Sequence, residues 1–173
     1  RPWEGDDHIA DSDARGWKTI APSALPFGAN LPKQPEAMSL DDIARVRDDF
    51  VAAAQRARDV GFEWLELHFA HGYLGQSFFS EHSNQRDGRD EQTMLDSIEL
   101  TRQFKAAGLD MLSVSIGFST PDSKIPWAPG FMGPIAERVR REAGIPVSSA
   151  WGFGEPHIAE KAVKDGQLDL VMV

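Results

Sequence analysis

The sequence predicts an α/β protein in which strands and helices alternate along the chain. Apolar residues recur every three or four positions in several segments, as on one face of a helix. Short runs with alternating or continuous apolar residues lie between them, and glycines end most segments. Such alternation indicates parallel β/α units, either in an open doubly wound sheet or in a (β/α)8 barrel. Polar residues inside the predicted strands, Glu66, Ser113 and Ser149, favour the barrel, where one strand face looks into a lumen.

Residues 1–37 form the first region, which is rich in Asp, Pro and Gly and predicts an excursion loop rather than a regular element. Within it, residues 16–28 suggest a short hairpin with a turn near Pro22.

The second region, residues 38–85, begins with a predicted helix. Ser39 is the expected N-cap, Asp42 lies in the first turn, and Gly61 ends the helix. Residues 62–69, with the sequence FEWLELHF, predict the strand that follows.

The third region, residues 86–173, predicts three further helix–strand pairs. The predicted helices are 91–107, 131–144 and 155–166, and the strands are 110–117, 145–154 and 168–173. A complete barrel takes about 250 residues, so four strands cannot close one.

Composition limits the classes of function. The chain has 173 residues, of which 41% are hydrophobic and 26% charged, as in ordinary globular proteins. Its net charge of −9 argues against binding to nucleic acid, which requires clustered basic residues. It has no cysteine, and no run approaches the roughly 20 apolar residues that a membrane span needs. We therefore expect neither nucleic acid nor a membrane as a partner, and a cytoplasmic location.

Two histidines and the single tyrosine cluster in the sequence ELHFAHGYLGQ, residues 66–76. His68 and His71 would point to opposite faces of a strand, but converge if the chain turns helically at Phe69–Ala70. Two neutral imidazoles can then each offer an N–H to one oxygen, with Tyr73 as a nearby proton source. Histidine also binds metals readily, and Glu66 is the nearest carboxylate, but the sequence shows no evident third ligand for a metal site.

The sequence AWGFGEP, residues 150–156, indicates a second candidate site at the end of a strand. Gly152 and Gly154 would let the backbone approach a ligand, and the following helix N-terminus favours an anion, although Glu155 opposes one. A tight strand–helix turn explains the same glycines. Trp151 is a candidate wall for a flat ligand or a core residue, and Trp127, in the loop 117–132, either closes over a pocket or is buried.

The run ELHFAHGYLGQSFFSEHSN resembles the signature of the old yellow enzyme family of flavin-dependent ene-reductases. The family pattern is His-x-x-His (or Asn)-Gly-Tyr-Leu, then Gln-Phe-Leu-Ser-x-x-x-Asn. The positions that match it are His68, His71, Gly72, Tyr73, Leu74, Gln76, Phe78, Phe79, Ser80 and Asn84. The sequences RPWEGDD, MSLDDI, DGRDEQT and SAWGFG are similar to the xenobiotic reductase A-like branch.

This resemblance implies a (β/α)8 TIM barrel of the FMN-dependent oxidoreductase type, with residues 1–173 forming one partial barrel domain. It implies FMN as cofactor, NADPH or NADH as hydride donor, and activated C=C bonds of enones or nitro compounds as substrates. His68 and His71 would hold the substrate oxygen, Tyr73 would give a proton, and Trp151 would line the pocket. His68 and Trp151 are also expected to contact FMN, as are Gly152 and Gly154. A homo-oligomer, dimer or larger, is expected.

The chain departs from the family pattern in three ways. The first three barrel strands are expected to be absent, with their flavin contacts. About one β/α unit, some 30 or more residues, is expected to be missing between residues 85 and 86. A Gly-Arg pair that grips the flavin phosphate is expected beyond Val173. Two alternatives therefore stay open: a non-catalytic barrel fragment without flavin, and, less favoured, a metal-dependent TIM-barrel hydrolase using the two histidines.

Overall fold

The computed structural model describes residues 9–28, 31–86, 94–117 and 124–173. These residues divide into two compact units, of which the first comprises 9–28 and 31–86 and the second comprises 94–117 and 124–173. The motifs at residues 1–7 and 87–93 lie outside the described residues, as do the first three residues of the predicted helix 91–107.

The first unit opens with two short parallel strands rather than the expected hairpin. Strands β1 (Ile20–Ala21) and β2 (Glu36–Ala37) pair in parallel, with Ile20 opposite Glu36. The predicted hairpin is wrong because parallel strands cannot be joined by a tight turn and the intervening chain must cross over. The side chain of Lys33 holds this excursion together by donating to the carbonyl of Trp17 at 2.6 Å.

Helix α1 (Leu40–Asp59) begins where the sequence predicted. Ser39 and Asp42 form a reciprocal capping box, in which Asp42 N–H donates to Ser39 Oγ at 3.1 Å and Ser39 N–H donates to Asp42 Oδ2 at 3.0 Å. Gly61 follows the helix with φ of +92°, a value that glycine adopts without strain.

The predicted strand 62–69 is not a strand in the described part of the chain. Residues 62–68 are all exposed, and residues 63–68 form no backbone-to-backbone hydrogen bond with described residues. A strand needs a neighbour to pair its N–H and C=O groups, and no neighbouring strand is present among the described residues of this unit. The apolar face of α1 is uncovered for the same reason, and the helix has no buried residue.

A short helix, α2 (Leu74–Ser77), follows this segment. The turns after it are held by Asn84, which is buried and donates from Nδ2 to the carbonyl of Phe78 at 2.8 Å. Asn84 is thus a structural residue that fixes the end of the motif.

The second unit contains a three-stranded parallel sheet with the order β3–β4–β5. Its elements confirm the predicted helix–strand alternation, although the strands are short. They are α3 (Met94–Ala106), β3 (Leu112–Ser113), α4 (Gly133–Val139), β4 (Val147–Ser149), α5 (Pro156–Lys164) and β5 (Leu170–Val171). Helix α4 widens into a π-helical turn at Arg140–Gly144 before β4 begins.

The core of this unit lies between the sheet and its helices. Met132, Val147 and Phe153 are fully buried there. Ser149, one of the polar strand residues, has a packing role in this unit. Its side chain is fully buried, and Oγ donates to the carbonyl of Val114 at 2.9 Å, so the polar group is satisfied inside the sheet.

Candidate active site

The first group of candidate residues lies on a left-handed turn at His71 and Gly72. Their φ angles are +57° and +77°. Tyr73 N–H donates to the carbonyl of Ala70 at 3.2 Å, and Gly72 N–H donates to Gln76 Oε1 at 2.6 Å. The turn therefore lies two residues later than the expected helical turn at Phe69–Ala70, and its hand is opposite. Glycine adopts this conformation freely, whereas a histidine adopts it at a cost.

This turn brings together three side chains that the sequence singled out. The ring centroids of His68 and His71 are 5.2 Å apart with the rings edge to face at 73°. The centroids of His68 and Tyr73 are 5.0 Å apart at 56°. His68 and Tyr73 are exposed, whereas His71 is half-buried. The three side chains therefore form one cluster on this turn.

Burial lowers the pKa of His71 below its ordinary value of 6.5, and the nearby charge of His68 lowers this pKa further. The neutral form of His71 is therefore favoured at neutral pH. A neutral imidazole keeps one N–H donor and one acceptor nitrogen, so His71 can bind an oxygen without carrying a charge.

Packing behind the turn depends on an aromatic contact. The rings of Phe50, on α1, and Phe69 meet edge to face with centroids 6.2 Å apart. Gly75 packs on the other side of Phe69, where an added Cβ would come within 2.6 Å of the ring. A larger residue at this position would displace Phe69, which directly follows His68 in the chain.

Trp151 belongs to the second unit, at the carboxyl end of β4. Its indole Nε1–H donates to Ser115 Oγ at 2.7 Å. Its ring lies 5.1 Å from that of Trp127, which in turn lies 5.7 Å from the ring of Phe131. Sequence reasoning missed Ser115, although its position two residues after β3, the strand paired with β4, was a usable signal.

The two glycines after Trp151 differ in what surrounds them. Gly152 has φ of +85°, and an added Cβ would lie 2.8 Å from the carbonyl oxygen of Ala128. Its lack of a side chain is therefore explained by packing against protein backbone. Gly154 is exposed, and an added Cβ would meet no atom within 4 Å. Glu155, the N-cap of α5, lies 3.6 Å from His157 Nδ1 and does not cap the helix with its side chain.

The described ranges contain neither a metal-binding cluster nor a membrane-spanning helix. No three His, Asp or Glu side chains come together there as a metal site would require. No helix among those residues is long and apolar enough to cross a membrane.

Solved structures with a similar fold define the architecture. A 2-naphthoyl-CoA reductase in complex with 2-naphthoyl-CoA superposes with a TM-score of 0.81 at 20% identity, covering 98% of this chain and 33% of that one. The old yellow enzyme homologue from Zymomonas mobilis superposes with a TM-score of 0.68 at 17% identity, covering 91% and 57%. The fold is therefore part of a (β/α)8 barrel of the old yellow enzyme type, as the sequence predicted.

Sequence comparison then gives the family. Residues 7–120 match the NADH:flavin oxidoreductase / NADH oxidase family, and this chain belongs to it. An NADPH dehydrogenase of Geobacillus thermodenitrificans is 32% identical over 192 aligned positions, covering 89% of this chain and 56% of the relative. An NADH oxidase of Thermoanaerobacter brockii is 29% identical over 202 positions, covering 91% and 31%. Family membership implies FMN as the flavin and NADPH or NADH as the hydride donor.

The chain spans about half the length of the NADPH dehydrogenases that it matches. The alignment with the Geobacillus enzyme also contains positions that this chain lacks. It extends over 192 positions but uses 89% of 173 residues, which is about 154, so about 38 positions have no counterpart here.

Proposed function

We propose that the protein is an FMN-dependent NAD(P)H oxidoreductase that reduces activated C=C bonds, such as those of enones and nitroalkenes. The observation that carries this proposal is the convergence of His68, His71 and Tyr73 on one turn, with ring centroids 5.0 and 5.2 Å apart. The family match supports the redox chemistry. Bound FMN would supply a hydride, taken from NADPH or NADH and delivered to the β-carbon of the alkene.

His68 and His71 hold the substrate's carbonyl or nitro oxygen in this proposal. Negative charge develops on that oxygen as the hydride arrives, and each imidazole donates one N–H to it. The lowered pKa of His71 supports this role, because the neutral ring can donate its N–H without carrying a positive charge that a nearby anion would have to balance. A group that is already oriented by its turn need not reorganise during the reaction.

Tyr73 supplies the proton that completes the reduction. Its ring lies beside that of His68 and its side chain is 62% exposed, so the phenol O–H can reach the α-carbon of a substrate bound to the histidines. Hydride addition at one carbon and proton addition at the other balance the saturation of the double bond.

The second unit carries proposed ligand contacts of its own, at Trp151 and Gly154. Trp151 presents a fixed indole for one side of a flat ligand, and Gly154 offers accessible backbone beside the start of α5 for the flavin phosphate. Gly152 acts through the packing of the loop, and His68 contributes a flavin contact as well as a substrate contact. The SAWGFG sequence around Trp151 supports placing the protein in the xenobiotic reductase A-like branch.

A missing β/α unit between residues 85 and 86 accounts for the uncovered face of the first unit. The roughly 38 aligned positions without a counterpart support this proposal, since one β/α unit takes about 30 residues or more. Exposure of residues 62–68 and of the apolar face of α1 supports it too, and also favours association into a homo-oligomer. Light scattering on a size-exclusion column gives the oligomeric state directly.

Titration with FMN, followed by the visible absorbance and fluorescence of the flavin, tests the proposal first. Saturable binding supports the enzyme. The absence of binding contradicts it and favours the second candidate, a flavin-free chain, which the unpaired segment 62–68 also favours.

Single-turnover oxidation of the pre-reduced, FMN-loaded protein by 2-cyclohexenone tests the histidines. Replacing both His68 and His71 by alanine should slow this step by about 10²–10³-fold for each lost donor. His82→Ala is the matched control, because His82 is an exposed histidine of the same unit. An unchanged rate in the double variant, together with a circular dichroism spectrum like that of the wild type, would contradict the assignment of His68 and His71 as oxygen-binding residues.

A further inference from the structure

Resting on the function proposed above, we propose that Ser115 and Trp127 are positioning residues that fix the indole of Trp151 and thereby set an aromatic wall for a flat ligand in the second unit. None of the predicted roles involves Ser115, and the sequence alone allows Trp127 to be either a pocket lid or a buried residue. Both contact the Trp151 side chain directly.

The hydrogen bond from Trp151 fixes the rotation of the indole. An indole has only one polar group, the Nε1–H, and here it donates to Ser115 Oγ at 2.7 Å. Ser115 and Trp151 each lie two residues beyond a strand, and these strands, β3 and β4, are hydrogen-bonded neighbours. The hydroxyl is therefore presented just beyond the ends of two strands that are hydrogen-bonded to each other.

Trp127 restrains the same ring from another side. The two indoles are 5.1 Å apart with an interplanar angle of 59°, and the ring of Phe131 supports Trp127 edge to face. Trp127 is 58% exposed, so much of its surface is still accessible to a ligand. Of the two roles that the sequence allows for Trp127, this exposure excludes that of a buried core residue.

Backbone contacts tie the two tryptophan-bearing loops together. Gly130 N–H donates to the carbonyl of Gly152 at 2.7 Å, and Gly152 has no room for a side chain against Ala128. Phe153, next in the chain, is fully buried in the core. With its backbone anchored on both sides, Trp151 has few ways to move except by rotation of its side chain, and this is the rotation that Ser115 and Trp127 restrain.

A fixed indole pair suits a planar, electron-poor substrate. A rotating Trp151 would have to lose rotational freedom each time a flat ligand bound, which weakens binding without altering the chemical step. Loss of either positioning residue should therefore raise KM for such a substrate and leave kcat unchanged.

Far-ultraviolet circular dichroism tests the positioning without any need for flavin. Two indoles at this separation couple electronically and give a paired positive and negative band. Trp127→Phe should abolish the couplet, while Trp64→Phe, which removes an exposed tryptophan of the first unit, should keep it. Ser115→Ala should lower the preference for the fixed orientation about fivefold, as expected for the loss of one hydrogen bond, and so shrink the couplet.

Two serine variants separate positioning from general loss of structure. Ser115→Thr retains the hydroxyl and should restore the couplet, and Ser113→Ala, two residues earlier on β3, should not affect it. A full-sized couplet in Ser115→Ala, or in Trp127→Phe, would overturn the positioning role.

Steady-state kinetics of the FMN-loaded protein with 2-cyclohexenone test the consequence for the site. The expected result is a rise in KM of about fivefold for Ser115→Ala at unchanged kcat. A third outcome is that the couplet shrinks but KM does not change, while the wild type reduces the enone. This result would overturn the role of Trp151 as a wall for the substrate and leave the proposed function standing. If the wild type reduces no enone, the proposed function fails, and the couplet alone decides whether Ser115 and Trp127 position Trp151.

Discussion

The imidazoles of His68 and His71 lie edge to face, with ring centroids 5.2 Å apart, because the chain turns left-handedly at His71 itself. Along an extended strand, residues three apart point to opposite faces. The φ of +57° at His71 changes the direction of its side chain, and the φ of +77° at Gly72 turns the chain on towards Tyr73. The strained residue is thus one of the proposed oxygen-binding residues, as is common at functional sites.

The first prediction concerns the proton donor. Tyr73→Phe should slow oxidation of the reduced flavin by 2-cyclohexenone by about 10²-fold or more, because the phenol proton is lost and the ring is kept. Reduction of the flavin by NADPH should be unchanged. Stopped-flow absorbance of the flavin measures both steps separately, and an equal loss in both would contradict the role of Tyr73.

The second prediction concerns acid stability at His71. Its pKa is lower in the folded chain than its ordinary value of 6.5, so the unfolded state binds more protons over the interval between these values. Stability should therefore fall as pH drops below 6.5 and level off below the folded pKa. Urea unfolding at a series of pH values measures this dependence.

His71→Asn should weaken that dependence, because asparagine does not titrate and tolerates the left-handed backbone. His157→Asn is the control on α5, outside the candidate turn, and should leave the His71 contribution intact. A wild-type profile retained in His71→Asn would show that other groups carry the pH dependence.

The third prediction concerns the packing behind the histidines. Gly75→Ala places a methyl group 2.6 Å from the Phe69 ring, and this overpacking should destabilise the protein by about 1–3 kcal/mol. The higher helix propensity of alanine should offset at most about 1 kcal/mol of that loss. Thermal unfolding by circular dichroism measures the change. Gly154→Ala, where the added methyl meets no atom within 4 Å, serves as the stability control. Equal melting temperatures for the two variants would mean that Phe69 moves without cost.

The fourth prediction concerns Asp169, which accepts two hydrogen bonds from Arg140, at 2.8 and 2.9 Å, and one from Val147 N–H at 2.9 Å. These bonds, with that to Arg140 foremost, hold the pKa of Asp169 below its ordinary value of 3.8. Its contribution to stability is present above 3.8 and is lost as pH falls through the folded pKa.

Asp169→Asn should therefore be less stable than the wild type at neutral pH and lose less stability on acidification. Denaturant unfolding of both proteins at neutral and acidic pH measures the difference. Glu160→Gln removes an exposed carboxylate paired with Lys164 and should change stability by less than about 0.5 kcal/mol. Parallel curves for Asp169→Asn and the wild type would exclude Asp169 as a source of acid sensitivity.

The sequence by itself determined the local features that depend on neighbouring residues. The capping box of Ser39 and Asp42 is readable because it spans only one turn. The β/α alternation of residues 94–173 is readable because each helix and strand carries its own hydrophobic period. The family motif around His68 and His71 is readable because residue identity and spacing together are specific.

Only the tertiary structure decided the features that depend on distant partners. Residues 62–69 have a strand pattern but no neighbouring strand among the described residues, so the pattern alone could not make a ladder. The left-handed turn at His71 and the link from Ser115 to Trp151 depend on backbone dihedrals and on residues 36 positions apart. A sequence period fixes which face a side chain occupies, whereas the partner that meets this face is supplied by the rest of the fold.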